Sequence, residues 1–374
     1  MMNYRDLYLD TLLFGAPAKI PFMPGGPRES TLRHWHQQGL PEGADYWETL
    51  QQELDVSLFS GYLAYAPIDS RMRPLFEEKV LEHRAGHYIV QDWMGAITEI
   101  SDTYDYTYLR NPKDFVTRKW HKFPVETRAD WERMQERFCV DTLGRLPDDL
   151  TEWAAGIDRR QTLVSLSVNG PFWQLREWCG FENLCMLFLD DPAWVREMVD
   201  FWRDFVSGLL SRVLSITCID RVTISEDMAY KAHSMISPAM TRAFLLPTYA
   251  HWAEQLYAAG CRIIDMDSDG DIGELIPIWI EAGINVCNPI EVAAHNDLPA
   301  FRRQFGRKMA FTGGVDKRAI AAGGSILDAE LARLTPVIRD GGYLPGCDHG
   351  VPSDVSWPNF LSYCRALATL CRWR

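Results

Sequence analysis

The chain has 374 residues, 47% of them hydrophobic and 24% charged, with 26 glycines and 21 prolines, a balance that excludes disorder, collagen and coiled coil. At this length a compact fold buries roughly 75% of the surface its unfolded chain exposes, so a large core needs no staples. Lysine and arginine number 38 against 51 aspartate and glutamate, a net charge of -13, which repels phosphate backbones and anionic headgroups and sets nucleic-acid and membrane partners aside, while a local cationic cluster could still take a small anion.

The stretch Met1-Met2-Asn3-Tyr4-Arg5-Asp6 leads into an amphipathic segment with no apolar core or cleavage site of a signal peptide. Residues 20–23 read as a first strand. Pro24-Gly25-Gly26-Pro27-Arg28-Glu29-Ser30-Thr31 follows as a loop, with Ser30 expected to cap a helix running to Gly39. Residues 56–59 read as a second strand. Across residues 87–108, Tyr88-Ile89-Val90 and Ala96-Ile97-Thr98 flank Asp92-Trp93-Met94-Gly95 like the arms of a hairpin, an insertion expected over a barrel mouth. Residues 107–127 read as an irregular crossing segment.

From about residue 160 short apolar runs alternate with helical stretches, the signature of repeated βα units. The strands expected are 163–168, 221–225, 262–266, 284–287, 309–312 and 342–344. Asp191-Pro192 and Ser237-Pro238 each place a capping side chain before a first-turn proline, and Gly260 closes the second of these helices. Eight strands in all predict an α/β fold, a (β/α)8 TIM barrel of one domain, residues 1–374, with an N-terminal extension and a β-hairpin insertion. No Gly-x-Gly-x-x-Gly follows a strand, which weakens any dinucleotide reading. Nine scattered cysteines without a Cys-x-x-Cys pair, and no membrane-length apolar run, point to a cytoplasmic protein with reduced thiols.

The densest chemical signal is Asp265-Met266-Asp267-Ser268-Asp269-Gly270. Carboxylates two apart on a strand share a face and project at the C-terminal rim, where barrel enzymes work. A metal, a cation or dense hydrogen bonding offsets their repulsion, or one pKa rises for acid-base work; the plain alternative is that Asp269 caps a helix near Asp271. Glu226-Asp227 ends the preceding strand and offers an acid or base on the neighbouring wall, or a structural ion pair with Lys231. Cys347-Asp348-His349 follows the last strand, and with Asp267 opposite, Cys347 and His349 are candidate zinc ligands. Arg28 suits a substrate carboxylate because its fork binds two oxygens. Trp35, Trp93, Trp173 and Tyr230 are candidate aromatic walls.

Taken together, Pro21 to Arg28, Glu226-Asp227-Met228-Ala229-Tyr230-Lys231, Asp267-Ser268-Asp269-Gly270, Asn288-Pro289, Gly313-Gly314-Val315-Asp316-Lys317 and Asp348-His349-Gly350-Val351-Pro352 resemble the uroporphyrinogen decarboxylase superfamily over nearly the whole chain. The resemblance implies a (β/α)8 barrel and either a decarboxylase or a cobalamin-linked methyltransferase. The decarboxylase carries an arginine-rich N-terminal motif, of which Met23-Pro24-Gly25-Gly26-Pro27-Arg28 keeps one arginine, and an aspartate where this chain reads Phe59-Ser60-Gly61. The methyltransferase branch holds zinc through a His-x-Cys pair and a later cysteine; the counterparts are Asp265-Met266-Asp267 and Cys347.

The expectation is therefore a methyltransferase-like enzyme on a small methylated substrate, with zinc and a corrinoid carried by a partner protein as its cofactors. Asp267, Glu226 and Asp227 are the candidate catalytic residues, and Arg28, Tyr230, Lys231, Asp265 and Asn288 the candidate substrate contacts. A homodimer is expected. A decarboxylase of a tetrapyrrole or other carboxylate, and a non-enzymatic small-molecule binder, remain the alternatives.

Overall fold

The computed structural model describes residues 3–56, 63–110 and 116–374. Its strands are β1 (Leu63–Tyr65), β2 (Lys79–Arg84), β3 (His87–Gln91), β4 (Ile97–Ser101), β5 (Arg118–Lys122), β6 (Leu163–Asn169), β7 (Arg221–Ser225), β8 (Ile263–Asp267), β9 (Val286–Asn288), β10 (Ala310–Val315) and β11 (Tyr343–Cys347). Seven form a parallel sheet in the order β1-β6-β7-β8-β9-β10-β11, and four an antiparallel sheet in the order β2-β3-β4-β5. The described chain makes two compact units, one from residues 3–56, 63–66, 152–168 and 217–374, the other from 67–110, 116–151 and 169–216.

In the parallel-sheet unit β6 to β11 were legible because they are short, apolar runs between helical stretches, whereas β1, three residues with Leu63 and Tyr65 exposed, was not expected. The register sets Arg221 beside Ile263, Thr223 beside Asp265 and Ser225 beside Asp267. Alternation then separates two rows. Val222, Ile224, Ile264 and Met266 are fully buried, and Thr223, Ser225, Asp265 and Asp267 share the other face. Near the start of these strands Arg221 pairs with Asp265, whose side chain is fully buried. The intervening helices start as expected: the Ser237 side chain accepts from the Met240 amide ahead of Pro238, and Gly260, at φ +87°, follows the helix Leu246–Ala258.

Several expectations are corrected here. Residues 20–23 form no strand, because Pro21, Pro24 and Pro27 each lack the amide a ladder needs. The segment nevertheless runs beside β11: the Cys347 amide donates to the Pro24 carbonyl at 3.1 Å, Val351 to Gly26 at 2.9 Å, and Pro27 bridges Val351 in parallel. The approach is close enough that a Cβ on Gly346 would fall 2.4 Å from the Met23 carbonyl oxygen. Of the expected strand 56–59, Val56 is in no strand; its remainder, like the Phe59-Ser60-Gly61 segment, lies outside the described residues. Ser30 does not cap its helix. The helix Glu29–His36 starts two residues earlier than a Ser30 cap requires, with Arg28 at the cap position.

The antiparallel unit contains the expected hairpin, β3 and β4 pairing Gln91 with Ile97. The segment expected to be irregular supplies β5, which pairs with β4; its exposed sequence Arg118-Lys119-Trp120-His121-Lys122 hides the alternation that marks a half-buried strand. The helix Pro192–Leu214 is capped by Asp191, which accepts from the Trp194 amide. Its face packs with Trp131, Trp178 and Phe138, the Phe138 ring meeting Trp202 edge-on at 5.6 Å. Arg145 is wholly buried, its guanidinium donating to the carbonyls of Cys139, Asp69, Arg71 and Arg137. Among the described residues no helix is long and apolar enough to cross a membrane.

Candidate functional site

The C-terminal ends of β7 to β11 and the loops that leave them converge, in the parallel-sheet unit, on an acid-rich rim. The loops are tied one to the next. The Glu226 amide donates to the Asp267 carbonyl at 2.8 Å and Ser268 to Asn288 at 2.8 Å. The Gly270 amide reaches Glu291 Oε2 at 3.2 Å, and Asn296 Nδ2 donates to the Gly270 and Glu291 carbonyls at 2.8 and 2.9 Å. Gly270 has φ +83°, and a Cβ there would lie 2.3 Å from the Ala229 carbonyl oxygen, so only glycine lets the β7 and β8 loops meet.

Asp267 stands at the centre. Ser225 Oγ donates to its Oδ2 at 3.2 Å and Asn288 Nδ2 approaches Oδ1 at 3.5 Å, while Thr312 Oγ1 fixes the other end of the Asn288 amide at 2.9 Å. Burial, reinforced by the neighbouring charges of Asp265, Asp269 and Asp227, pushes the Asp267 carboxyl up to about 7 against the pull of Ser225. A carboxyl so poised can give or take a proton near neutrality.

The other acids differ in kind. Glu226 is fully buried and accepts from the Tyr249 hydroxyl. Asp227 holds a left-handed φ of +40°, a conformation that a non-glycine residue adopts at a cost and that gathers at functional sites. Asp265, a candidate substrate contact, is instead wholly buried against Arg221. Asp269 does not cap a helix, none starting before Ile276; it accepts from His349 Nε2 at 3.1 Å. The Gly350 amide at 2.7 Å and Arg28 Nη2 at 3.4 Å both face His349 Nδ1, so Nδ1 accepts and Nε2 carries the proton to Asp269. The hydrogen bond with Asp269 raises the imidazole pKa against the opposing effects of burial, Lys317 and Arg28.

The structure thus joins Asp267 with Asn288, and Arg28 with His349 and Asp269. It does not assemble Asp267, Cys347 and His349 as a ligand set: among the described residues no three His, Cys, Asp or Glu side chains stand close enough to share a metal. Cys347 is buried, and as placed it does not combine with Asp267 and His349 into a set that fits zinc. Tyr230 and Lys231 are exposed on the loop after β7. Trp35 is core rather than wall, donating to the Val355 carbonyl and packed 4.6 Å from Phe360; Trp93 and Trp173 belong to the antiparallel unit.

Residue reading gave Lys317 no place in the rim and named Asp348 only within Cys347-Asp348-His349. Lys317 Nζ pairs with Glu291 Oε1 at 3.1 Å, and Asp348 accepts from the Val292 and Lys317 amides at 3.0 and 3.2 Å, its carboxyl raised to about 6 by burial. The signal for Lys317 was present: it ends Gly313-Gly314-Val315-Asp316-Lys317, at a strand terminus.

No protein-family model and no curated protein matches the sequence. Among solved structures the chain is similar to a methyltransferase from Methanosarcina mazei, with a TM-score of 0.56 at 12% identity over 100% of this chain and 99% of that one. It is also similar to a B12-independent methionine synthase from Shewanella sp. W3-18-1 in complex with selenomethionine (TM-score 0.39, 10% identity, 61% of this chain and 67% of that one). A third is a putative vitamin-B12 independent methionine synthase from Listeria monocytogenes (TM-score 0.32, 8% identity, 57% and 64%). At 12% identity the first likeness is one of fold, and the other two add no weight to it. What that likeness bears out is the α/β fold of parallel strands and helices that the sequence led one to expect.

Proposed function

We propose that this chain is a methyl-transfer enzyme working at the C-terminal ends of its parallel strands on a small methylated substrate, with Asp267 as the proton donor and a corrinoid on a separate protein as the methyl acceptor. The seven parallel strands belong on this reading to a closed (β/α)8 barrel, the proline-broken segment 20–24 beside β11 standing in the place of an eighth strand. The observation that carries the chemistry is the Asp267 carboxyl, raised to about 7 at the end of β8. When a methyl group leaves an ether-type oxygen, that oxygen keeps the electron pair of the broken C–O bond and requires a proton. Protonated Asp267 supplies it, and Ser225 and Asn288 then steady the carboxylate that remains. Asp227, Tyr230 and Lys231 line the approach on the β7 side, with Glu226 buried behind them against Tyr249, and Arg28 with His349 offers a polar anchor opposite.

A decarboxylase acting on a polycarboxylate would need several converging cations. Here Arg28 faces His349 and Lys317 is already paired with Glu291, so the three cations of the rim, Lys231 with them, stand among at least as many acids, which supports methyl transfer over that alternative. The test is a panel of methyl ethers and methylamines incubated with reduced cobalamin, followed by the absorbance of methylcobalamin. Turnover of one substrate, lowered roughly 10²-fold or more in Asp267→Asn, is expected. An active wild type whose rate is unchanged by Asp267→Asn removes Asp267, and release of CO2 from a porphyrinogen without methyl transfer replaces the reading.

A further inference from the structure

The antiparallel unit contains a cleft of about 220 Å3 between the β3–β4 hairpin and the helix Arg128–Gln135. Its floor is apolar, formed in part by Phe76, Phe123 and Met134, and its rim carries Lys122, Arg133 and Arg137 against the single acid Asp130. That acid is already spent locally. It is the third residue of a capping box, accepting from the Thr127 amide at 2.9 Å and hydroxyl at 2.7 Å, and it pairs with Arg133 at 2.5 Å. Asp130 and Arg133 therefore cancel, and Lys122 and Arg137 are left as uncompensated cations.

Among the described residues the Lys122 side chain takes part in no hydrogen bond or ion pair, its backbone alone pairing with β4. Arg137 is set differently. Its guanidinium lies 3.9 Å from the Phe76 ring centre and one Nη donates to the Pro74 carbonyl at 2.5 Å. Stacking and that one bond fix the plane of the fork, so little freedom is lost when its remaining N–H groups meet an acceptor. Two unopposed cations over an aromatic floor are unusual in a chain of net charge -13, and the combination selects for a ligand with a negative head and a flat apolar body. The volume is below the roughly 300–1,000 Å3 of pockets for drug-sized ligands. It admits one ring and excludes a tetrapyrrole or a nucleotide.

We propose that this cleft is a second binding site, independent of the strand-end rim, for a small aryl carboxylate whose carboxylate is taken by Arg137 and Lys122 and whose ring lies against Phe76 and Phe123. The experiment is calorimetric titration of the full chain with benzoate, benzyl alcohol and acetate. Benzoate is expected to bind saturably at one site. Benzyl alcohol, which keeps the ring and lacks the charge, and acetate, which does the reverse, are each expected to bind at least about tenfold more weakly. Lys122→Gln and Arg137→Gln should each weaken benzoate roughly tenfold, and Ile97→Trp, which fills the cleft, should abolish binding. Lys122 is exposed on β5, so its variant decides the matter even if Arg137→Gln fails to fold. No saturable benzoate binding, equal binding of benzyl alcohol, or binding indifferent to Lys122→Gln and Ile97→Trp overturns the proposal.

Discussion

At the scale of single residues, Asp267 carries a cost that can be measured apart from catalysis. Its carboxyl keeps a proton up to about 7 in the folded chain, against 3.8 in the absence of the fold. Between those values the folded state holds more protons than the unfolded one, so stability falls as pH rises, and above about 7 the penalty is constant. Asp267→Asn should therefore have a higher Tm than the parent at pH 8, with the difference shrinking toward pH 4, by a few kcal/mol at most. A Tm difference that is the same at pH 5 and pH 8 would show that Asp267 is not held protonated. That acids crowd the end of β8 was legible from Asp265 to Asp269 alone. Which acid His349 would meet was not, because Asp267 and Asp269 differ by two positions in sequence and only the path of the loop after β11 brings Asp269 within reach.

Among elements, the meeting of the β7 and β8 loops rests on one missing side chain. Gly270 and Gly260 have nearly the same backbone, φ +83° and +87°, yet a Cβ on Gly270 would strike the Ala229 backbone at 2.3 Å while one on Gly260 would meet nothing within 4 Å. Gly260→Ala should cost only the left-handed strain, about 1–2 kcal/mol, and leave turnover intact. Gly270→Ala adds a backbone collision, so it should cost more by denaturant midpoint and lower turnover by displacing residues 226–230. Equal destabilisation by the two would mean the loops are not interlocked as described. The buried strands announced themselves through apolar runs, and the helix starts through Asp191-Pro192 and Ser237-Pro238. The prolines at 21, 24 and 27 defeated the same reasoning, since an extended segment interrupted by residues that cannot donate hydrogen bonds does the work of a strand without its pattern.

For the whole molecule, the discontinuous parallel-sheet unit is held at one carboxylate. Asp220, nearly buried, accepts from Arg5 at 2.7 Å, Arg159 at 3.0 Å and the Val164 amide at 2.9 Å, joining three segments that are far apart in the chain. Removing the acid leaves two part-buried guanidinium groups and a buried amide with that partner gone. Asp220→Ala should lower stability by about 3–5 kcal/mol, read by chemical denaturation. A loss below about 1 kcal/mol would place the joint elsewhere. None of this was visible in the sequence, where Asp220 is one acid among 51 acidic residues.

The pairing of early and late residues also bears on how the chain is made. Trp373 Nε1 donates to the Ile20 carbonyl at 2.6 Å across 353 positions, Ile20 donates to the Cys371 carbonyl, and Gly342 to that of Thr11. At elongation rates of about 5–20 residues per second, the two halves of the first contact leave the ribosome roughly 20–70 s apart. Throughout that interval Ile20, Phe22 and Trp35, all buried in the finished fold, have no C-terminal surface to cover them. Those apolar segments are then exposed to aggregation until the C-terminal residues arrive, and slowing translation late in the message should lower the soluble yield more than slowing it early.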